Sequence, residues 1–490
     1  MPRPSLADRA RIEKLCRVPL RQRLKKTAWF CCSRPGPRAD SSGPARLTKW
    51  VLLVLRYEPC MLTIVAHDSP EFGPALARLA CRGELDFEKV EGAVRTIIAD
   101  VRTRGDAAVR DCIQRFEHRS PALLFREDYG GAAALARLSP ETRGVLVRAA
   151  DRIARFHERQ RDAGFRYVED GVTLGTRTQP VERAAVYAPG GKARYPSSVL
   201  MAAIPARIAG VRSLFLVTPL ADDAADDLIL AAAHLSGVTA VVDAGGAQAI
   251  AAVAYGTESI PRVDKVVGPG NIYVATAKRL VFGAVSIDSI AGPSEILVLA
   301  DHTANARVVA ADLLSQAEHD EAAYALLACT SHAFAEAVAR ELTEQLESLP
   351  RGPIAATALR ANGLALVVQD RDALVSVANR IAAEHLSIQT HEAQLLADRI
   401  ERAGAIFVGH ATPEAAGDYF AGPSHVLPTG GAVRFGSPLG VYDFMTRSSI
   451  IAYEPEALVA QSADIQAFAR LEGLEAHARA VAVRVGQGRP

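Results

Sequence analysis

The stretch AAVYAPGGKARYPSSVLMAAIPARIAGVRSLFLVTPL, residues 184–220, runs from a short apolar segment through an amphipathic segment to a second apolar one. Short apolar runs that alternate with amphipathic segments are typical of βαβ units. The pattern therefore predicts a mostly parallel sheet covered by helices. The same alternation continues through AVVDAGG (240–246), AQAIAAVAYG (247–256), KVVGPG (265–270) and NIYVATAKRLVFG (271–283).

A second cycle of the same kind follows VSIDSIAGPSEILVLAD (285–301). A helix predicted at 305–320 leads to the strands YALLACT, LALVVQD, HLSIQT and AIFVGH. The usual dinucleotide fingerprint, G-x-G-x-x-G, is absent from the sequence. We therefore predict an α/β fold with two doubly wound, mostly parallel α/β domains that are incomplete versions of a Rossmann domain.

The chain is predicted to divide into five regions around these two cycles. Helical periodicity between about 87 and 165 predicts an N-terminal helical region that packs on the core, and a Gly/Pro-rich loop at 415–444 precedes a helical tail. The predicted regions are 1–60, a basic extension; 61–183, the helical region; 184–300, the first α/β domain; 301–425, the second; and 426–490, the loop and helical tail.

The first sixty residues differ in charge from the rest, with 14 Lys and Arg against 4 Asp and Glu in a chain of formal net charge +1. A secretory signal fits poorly because the only apolar run, Trp50 to Leu55, is short, and a transit peptide fits the Arg content but not the acidic residues. A disordered or spurious extension, with Met61 as the functional start, is the favoured interpretation. A nucleic-acid-binding role for this basic segment is a further hypothesis.

Composition predicts an ordinary globular protein of the cytoplasm. Hydrophobic residues make up 49% of the chain and charged residues 23%. Cys81, Cys112 and Cys329, the cysteines after Met61, form no C-x-x-C pair and suit a reducing compartment. The near-neutral charge and the absence of a long apolar run predict neither a nucleic-acid nor a membrane partner.

Three strand-to-helix turns are rich in glycine: YAPGGKARYPSS, DAGGAQA and VGPGN. Glycine lets a ligand approach the backbone, and the N–H groups that open a helix favour phosphate and other anions. Glycine also marks ordinary tight turns, so these segments are either cofactor cradles or plain turns.

Candidates for metal and acid–base chemistry gather in three segments. LLSQAEHD (313–320) places Gln316 and His319 on one helical face, and Glu384 precedes His385 at a predicted helix-to-strand junction. An imidazole titrates near neutrality, and an adjacent carboxylate could activate water. Asp418, His425 and His477 add nitrogen and oxygen donors, which suit Zn²⁺ and also Mn²⁺ or Co²⁺.

At these residues the chain closely resembles the histidinol dehydrogenase family. The resemblance runs from about Met61 to the C-terminus. Its densest blocks, in order, are VYAPGGKARYPSSVLM, GPGNIYVATAKR, IDSIAGPSEILVLAD, LLSQAEHD, AAEHLSIQT, GDYFAGPSHVLPT and LEGLEAHA. Small departures, such as Ser424 and Gly440, leave the reactive positions intact.

The resemblance implies NAD-dependent oxidation of L-histidinol through L-histidinal to L-histidine, the last step of histidine biosynthesis. It assigns Glu384 and His385 as the acid–base pair, and Tyr187, Gln248 and Asn271 as NAD contacts. It implies a Zn²⁺ ion held by Gln316, His319, Asp418 and His477, and substrate contacts from Ser294, Gln316, His319, His385, Asp418, His425, Glu472 and His477.

The resemblance also implies an intertwined homodimer, in which the C-terminal tail swaps so that His477 completes the site of the other subunit. A zinc-containing hydrolase or lyase, with Glu384 activating water and no NAD, is the alternative from a different class. The missing G-x-G-x-x-G supports this alternative, and the absence of nucleotide binding would distinguish it.

Overall fold

The computed structural model describes residues 61–82, 87–190, 195–221 and 223–486. The predictions for the basic segment 1–60 lie outside the described residues, as does part of the first Gly-rich turn, residues 191–194.

Strands and helices alternate through most of the described chain. The strands are β1 (Thr63–Ala66), β2 (Phe125–Arg126), β3 (Phe165–Glu169), β4 (Val172–Pro180), β5 (Arg183–Tyr187), β6 (Ser213–Val217), β7 (Ala240–Val242), β8 (Lys265–Val267), β9 (Ser286–Ile287), β10 (Glu295–Ala300), β11 (Tyr324–Cys329), β12 (Leu364–Val367), β13 (His385–Gln389), β14 (Ala405–Val408) and β15 (Met445–Tyr453). The α-helices are α1 (Phe72–Ala80), α2 (Glu88–Arg104), α3 (Asp106–Phe116), α4 (Gly131–Arg137), α5 (Pro140–His157), α6 (Pro196–Ala209), α7 (Asp227–Ser236), α8 (Gly246–Tyr255), α9 (Ile272–Val281), α10 (Ala306–Ala317), α11 (His332–Leu346), α12 (Gly352–Asn362), α13 (Arg371–Ile381), α14 (Ala393–Ala397), α15 (Glu414–Tyr419), α16 (Pro455–Leu471) and α17 (Glu475–Ala482).

The first sheet has the order β2-β7-β6-β5-β8-β9 and is parallel except for the antiparallel edge strand β2. Side chains alternate along each strand, so Ala184 and Val186 of β5 pack beneath α5, α6 and α7. Ala185 and Tyr187 pack against α2, α3, α8 and α9 on the other face. The chain winds from β5 to β7 on one side and through β8 to β9 on the other, which creates a switch point between β5 and β8.

The second sheet has the order β1-β12-β11-β10-β13-β14, and all of its strand pairs are parallel. It winds outward from β10 as the first sheet winds from β5, so a second switch point lies between β10 and β13. Two strands of this sheet come from outside the segment predicted for it. β10 precedes the predicted boundary at residue 300, and β1 comes from the region predicted to be helical.

A third, antiparallel sheet joins β15 to β4 and β4 to β3. β15 pairs with β4 along its length, from Met445 opposite Pro180 to Tyr453 opposite Val172. The sequence predicts only a loop and helices between 426 and 490, so this strand corrects that prediction. The α/β prediction itself is confirmed, whereas the swapped tail stays a prediction.

The length and the apolar character of a helix decide whether it could cross a membrane. Among the helices of the described residues, none combines the length and the apolar character that crossing a bilayer requires.

Candidate active site

One cavity, with a volume of about 1520 Å³, lies where the two parallel sheets meet. The first sheet contributes the segments after β5, β6, β7 and β8, which are the carboxyl ends of its strands. The second sheet contributes the amino ends of its strands, with Ser294 before β10 and His385 at the start of β13. Ligands of doubly wound sheets bind outside the carboxyl ends at a switch point, and the first sheet follows that rule.

Most of the site residues predicted from sequence line this cavity. The residues brought together are Tyr187, Gln248, Asn271, Ser294, Gln316, His319, Glu384, His385, Asp418 and His425. Glu472 and His477 do not line it. Both are exposed on the C-terminal tail, Glu472 just after α16 and His477 on α17.

His385 is held by the strand that it begins and by the neighbouring strand β10. Its Nδ1 atom lies 3.2 Å from the backbone oxygen of Glu295. The backbone N–H of Glu295 donates to Oε2 of Glu384 at 2.9 Å, and this carboxylate lies 3.5 Å from Nδ1 of His385. The peptide groups of one β10 residue therefore orient both members of the predicted acid–base pair.

Glu295 is in turn held by its own buried side chain. Arg82 forms an ion pair with the Glu295 carboxylate and donates to the backbone oxygens of Leu79 and Ile381. The other Glu295 oxygen accepts from the N–H of Gly430. The Arg82–Glu295 pair therefore joins α1, the end of α13 and the loop after His425.

The opposite side of His385 faces two carboxylates of α15. Its Nε2 atom lies 3.7 Å from Oδ1 of Asp418 and 3.7 Å from Oε1 of Glu414. Asp418 also lies within reach of two further imidazoles, with His319 Nε2 at 3.9 Å and His425 Nδ1 at 3.8 Å. Asp418 is thus the carboxylate around which the three histidines gather.

Burial and charge shift the pKa values of this cluster in different directions. Burial lowers the pKa of His385, but the charge of Glu384 and its contact with Asp418 outweigh burial, so that pKa is raised. Burial raises the pKa of Glu414 to about 7. Burial also raises the pKa of Asp418, but its contacts with His385 and the other histidines lower it overall. Burial lowers the pKa of His425.

Glu414 is a site residue that the sequence analysis missed. With His385 and Asp418 it forms a buried group of three side chains whose donor atoms are close enough to hold one metal ion. Ser315 donates to its Oε2 atom at 2.8 Å. The signal that could have found it is the spacing to Asp418, because residues four apart on a helix share a face.

Gln316 and His319 reach the cavity in a slightly different way from the predicted one. The helix that carries Gln316, α10, ends at Ala317 instead of continuing to residue 320. His319 lies in the following turn, where its N–H donates to the backbone oxygen of Gln316 at 3.2 Å. The two side chains still line the same cavity.

The wall formed by the first sheet contains the three predicted NAD contacts. The hydroxyl of Tyr187 accepts from the N–H of Gly246 at 3.1 Å, and Nε2 of Gln248 donates to Glu117 at 3.2 Å. Asn271 caps α9, because its Oδ1 atom accepts from the N–H groups of Tyr273 and Val274 at 3.0 and 3.2 Å.

Comparison with known proteins gives matches over most of the chain. The family model described as histidinol dehydrogenase matches residues 80–485. The histidinol dehydrogenase of Syntrophotalea carbinolica is 49% identical over 428 residues, covering 87% of this chain and 99% of the relative. That of Pseudomonas aeruginosa is 48% identical over 422 residues, covering 85% and 96%. A crystal structure of histidinol dehydrogenase from Elizabethkingia anophelis superposes with a TM-score of 0.82 at 33% identity, covering 87% of this chain and 98% of that one.

Proposed function

This chain belongs to the histidinol dehydrogenase family, a family of oxidoreductases, and from that premise we propose that it oxidises L-histidinol to L-histidine in two NAD-dependent steps through L-histidinal. The observation that carries the proposal is that ten predicted site residues from both halves of the chain line one cavity. Acid–base residues, metal-ligand types and the predicted NAD contacts therefore share one space, as a four-electron oxidation requires.

A zinc ion fits the residues present. Oε1 of Gln316 and Oε1 of Glu414 are buried oxygens without a hydrogen-bond partner among the described residues. An unpaired buried acceptor costs free energy unless a cation or another donor meets it. Imidazole nitrogen with carboxylate and amide oxygen is a donor set that suits Zn²⁺.

We propose four ligands for the ion. Gln316, His319 and Asp418 belong to one subunit, and the fourth ligand is His477 of the partner subunit. When bound, Zn²⁺ would supply a Lewis-acidic template for the amine and imidazole nitrogens of the substrate. Ser294 and His425 line the same cavity, and they are proposed to contact the substrate directly. Glu472 is proposed to do so from the partner subunit, together with His477.

The acid–base work is assigned to Glu384 and His385. In the neutral form of His385, Nδ1 donates to the carbonyl oxygen of Glu295, so Nε2 can take the substrate hydroxyl proton. The nearby carboxylates of Asp418 and Glu414 then stabilise the imidazolium that forms. Glu384 would then deprotonate the water that hydrates the aldehyde. When bound, NAD would supply the hydride acceptor for each of the two oxidations. The buried position of both residues keeps bulk water away from the aldehyde stage.

The exposed tail supports a shared site in a homodimer. Ile451, Phe468 and Leu471 are large apolar side chains that are 65%, 66% and 84% exposed in the single chain. Exposed apolar side chains of this size are usual at subunit interfaces. We propose that the tail packs on a second copy, where His477 and Glu472 complete the partner's cavity.

The test is the number of NADH molecules formed per L-histidinol consumed, measured on metal-free protein with and without added zinc. We expect two NADH per substrate, and only when zinc is present. Turnover that needs no metal would contradict the zinc assignment. A folded, zinc-loaded dimer that does not oxidise L-histidinol would contradict the proposed reaction, and one NADH per substrate would contradict its second step.

A further inference from the structure

Glu117 follows α3 and occupies the wall of the cavity that carries the proposed NAD contacts. Its Oε1 atom accepts from the N–H of Gly245 at 3.0 Å and from Nε2 of Gln248 at 3.2 Å. Its Oε2 atom accepts from Nε and Nη2 of Arg119 at 2.8 and 2.6 Å. Both carboxylate oxygens therefore accept hydrogen bonds from the protein, and Oε1 accepts one of them from Gln248, a proposed NAD contact.

The contacts of Glu117 change what the start of α8 can bind. A Gly-rich turn that opens a helix usually offers its N–H groups to a phosphate. Here the N–H of Gly245 is bonded to Glu117, and the N–H of Gly246 is bonded to the hydroxyl of Tyr187. A phosphate at this turn would have to displace both side chains and approach a carboxylate.

Glu117 also sets the direction of the Gln248 amide. A carboxylate only accepts hydrogen bonds, so the amide nitrogen must face it and the amide oxygen is left for a ligand. Gln248 is 3% exposed, and a Cβ atom on Gly246 would lie 2.7 Å from its Oε1 atom. The hydrogen bond to Glu117 therefore leaves the amide oxygen as an acceptor that suits a hydroxyl or N–H group of a ligand.

The arginines of this network are already paired with carboxylates. Arg119 also forms an ion pair with Asp243, a carboxylate with no exposed side-chain surface. Arg126 pairs with the second oxygen of Asp243 at 2.5 Å. Arg119 lines the cavity, and a phosphate that entered this wall would compete with the carboxylates of Glu117 and Asp243 for its guanidinium group.

We propose that Glu117 is a positioning and specificity residue: it orients Gln248 to accept a hydrogen bond from the dinucleotide, and it disfavours a dinucleotide with an additional phosphate. The inference rests on the proposed function, and it assigns the preference for NAD over NADP to one side chain. A carboxylate near a dinucleotide disfavours an additional phosphate by like-charge repulsion, which is a known means of this discrimination.

The test compares kcat/KM for NAD and for NADP at saturating L-histidinol in zinc-loaded protein. The variants are E117Q and the double variant E117Q/R119Q, which also removes the Arg119 guanidinium that faces residue 117. The control is E347Q, which removes an exposed carboxylate just after α11. We expect E117Q to raise the NADP-to-NAD ratio about tenfold or more, the double variant to raise it less, and E347Q to leave it unchanged.

Two further readouts separate this role from simple damage to the fold. E117Q should raise the KM for NAD while the KM for L-histidinol stays at the wild-type value. An unchanged ratio in a variant that still turns over NAD would overturn the inference. So would a wild-type enzyme that uses NADP as well as NAD, a result that needs no variant. No oxidation of L-histidinol by the wild type with either nucleotide would instead refute the proposed function.

Discussion

Nε2 of His385 lies 3.7 Å from Oδ1 of Asp418. This proposed acid–base residue is therefore next to a proposed metal ligand. The same carboxylate lies 3.9 Å from Nε2 of His319. Asp418 therefore belongs to two sets of donor atoms. One set adds Gln316 and His319, and the other adds His385 and Glu414. Both sets suit a metal by chemistry, and they differ in the role that they leave for His385.

The two sets predict different metal contents for single variants. If His385 moves protons, His385→Ala should keep its zinc and lose about 10²–10⁴-fold in kcat. His319→Ala should lose zinc, because it removes a ligand. The measurement is zinc per subunit after dialysis, together with turnover. His332→Ala, at an exposed site on α11, is the control and should keep both. A His385→Ala protein that loses zinc as His319→Ala does would instead favour the set with Glu414.

Glu384→Gln should affect the second oxidation more than the first. Glu384 is proposed to deprotonate the hydrating water, which only the aldehyde stage needs, so much of the aldehyde-forming step should survive. The measurement is single-turnover NADH formation from L-histidinol and, separately, from L-histidinal. Wild type and Glu347→Gln serve as references for the two rates. Equal loss in both half-reactions would remove the division of labour between Glu384 and His385.

Mixing two inactive proteins should restore activity if the tail is shared. His477→Ala and His385→Ala subunits together form hybrid dimers, in which one site lacks both residues and the other is intact. Random exchange makes about half of the dimers hybrid, so about a quarter of the wild-type activity is the expected maximum. Each variant alone is the control, and hybrid formation is verified with two different affinity tags. Verified hybrids without activity would contradict the shared site.

Arg82→Met should destabilise the protein by about 3–5 kcal/mol, because it leaves the buried Glu295 carboxylate without its ion-pair partner. The side chains of Arg82 and Glu295 are each 1% exposed. The matched control is Arg95→Met, whose pair with Glu91 lies at the surface and should contribute far less to stability. The measurement is the free energy of unfolding by denaturant. Equal losses of unfolding free energy in the two variants would contradict a larger contribution from the buried pair.

Most of the parallel strands could be predicted from sequence because each of these is a short apolar run beside an amphipathic helix. The strands β1 and β15 could not. β1 has four residues, too few to show a period, and β15 is mostly exposed, so neither face of it carries an apolar pattern. Pairing with distant partners, β12 and β4, makes these segments strands.

The candidate site, too, could be predicted from sequence only where its residues are close together in the chain. Gln316 with His319, and Glu384 with His385, are close in sequence, so the sequence indicates both as local pairs. The contacts of Glu295 with Glu384 and His385 depend on β10 lying beside β13, which only the strand order provides. Glu117 reaches Gln248 for a similar reason, because α3 and α8 pack together. The roles of Glu295 and Glu117 depend on non-local packing, so no local sequence pattern predicts them.

Asp312→Asn should remove one contribution to the pH dependence of stability between about 4 and 6. Burial raises the pKa of Asp312 from 3.8 to about 6, and Gln389 donates to its Oδ2 atom at 2.6 Å. The folded state therefore binds more protons than the unfolded state in this range, so the contribution of Asp312 is full below pH 3.8 and is lost as the pH rises through about 6. Asn cannot ionise, so the variant should gain stability relative to wild type as the pH rises. The measurement is the difference in unfolding free energy at each pH, with Asp151→Asn, at an exposed position of α5, as the control. A difference that stays constant across the range would show that Asp312 titrates alike in both states.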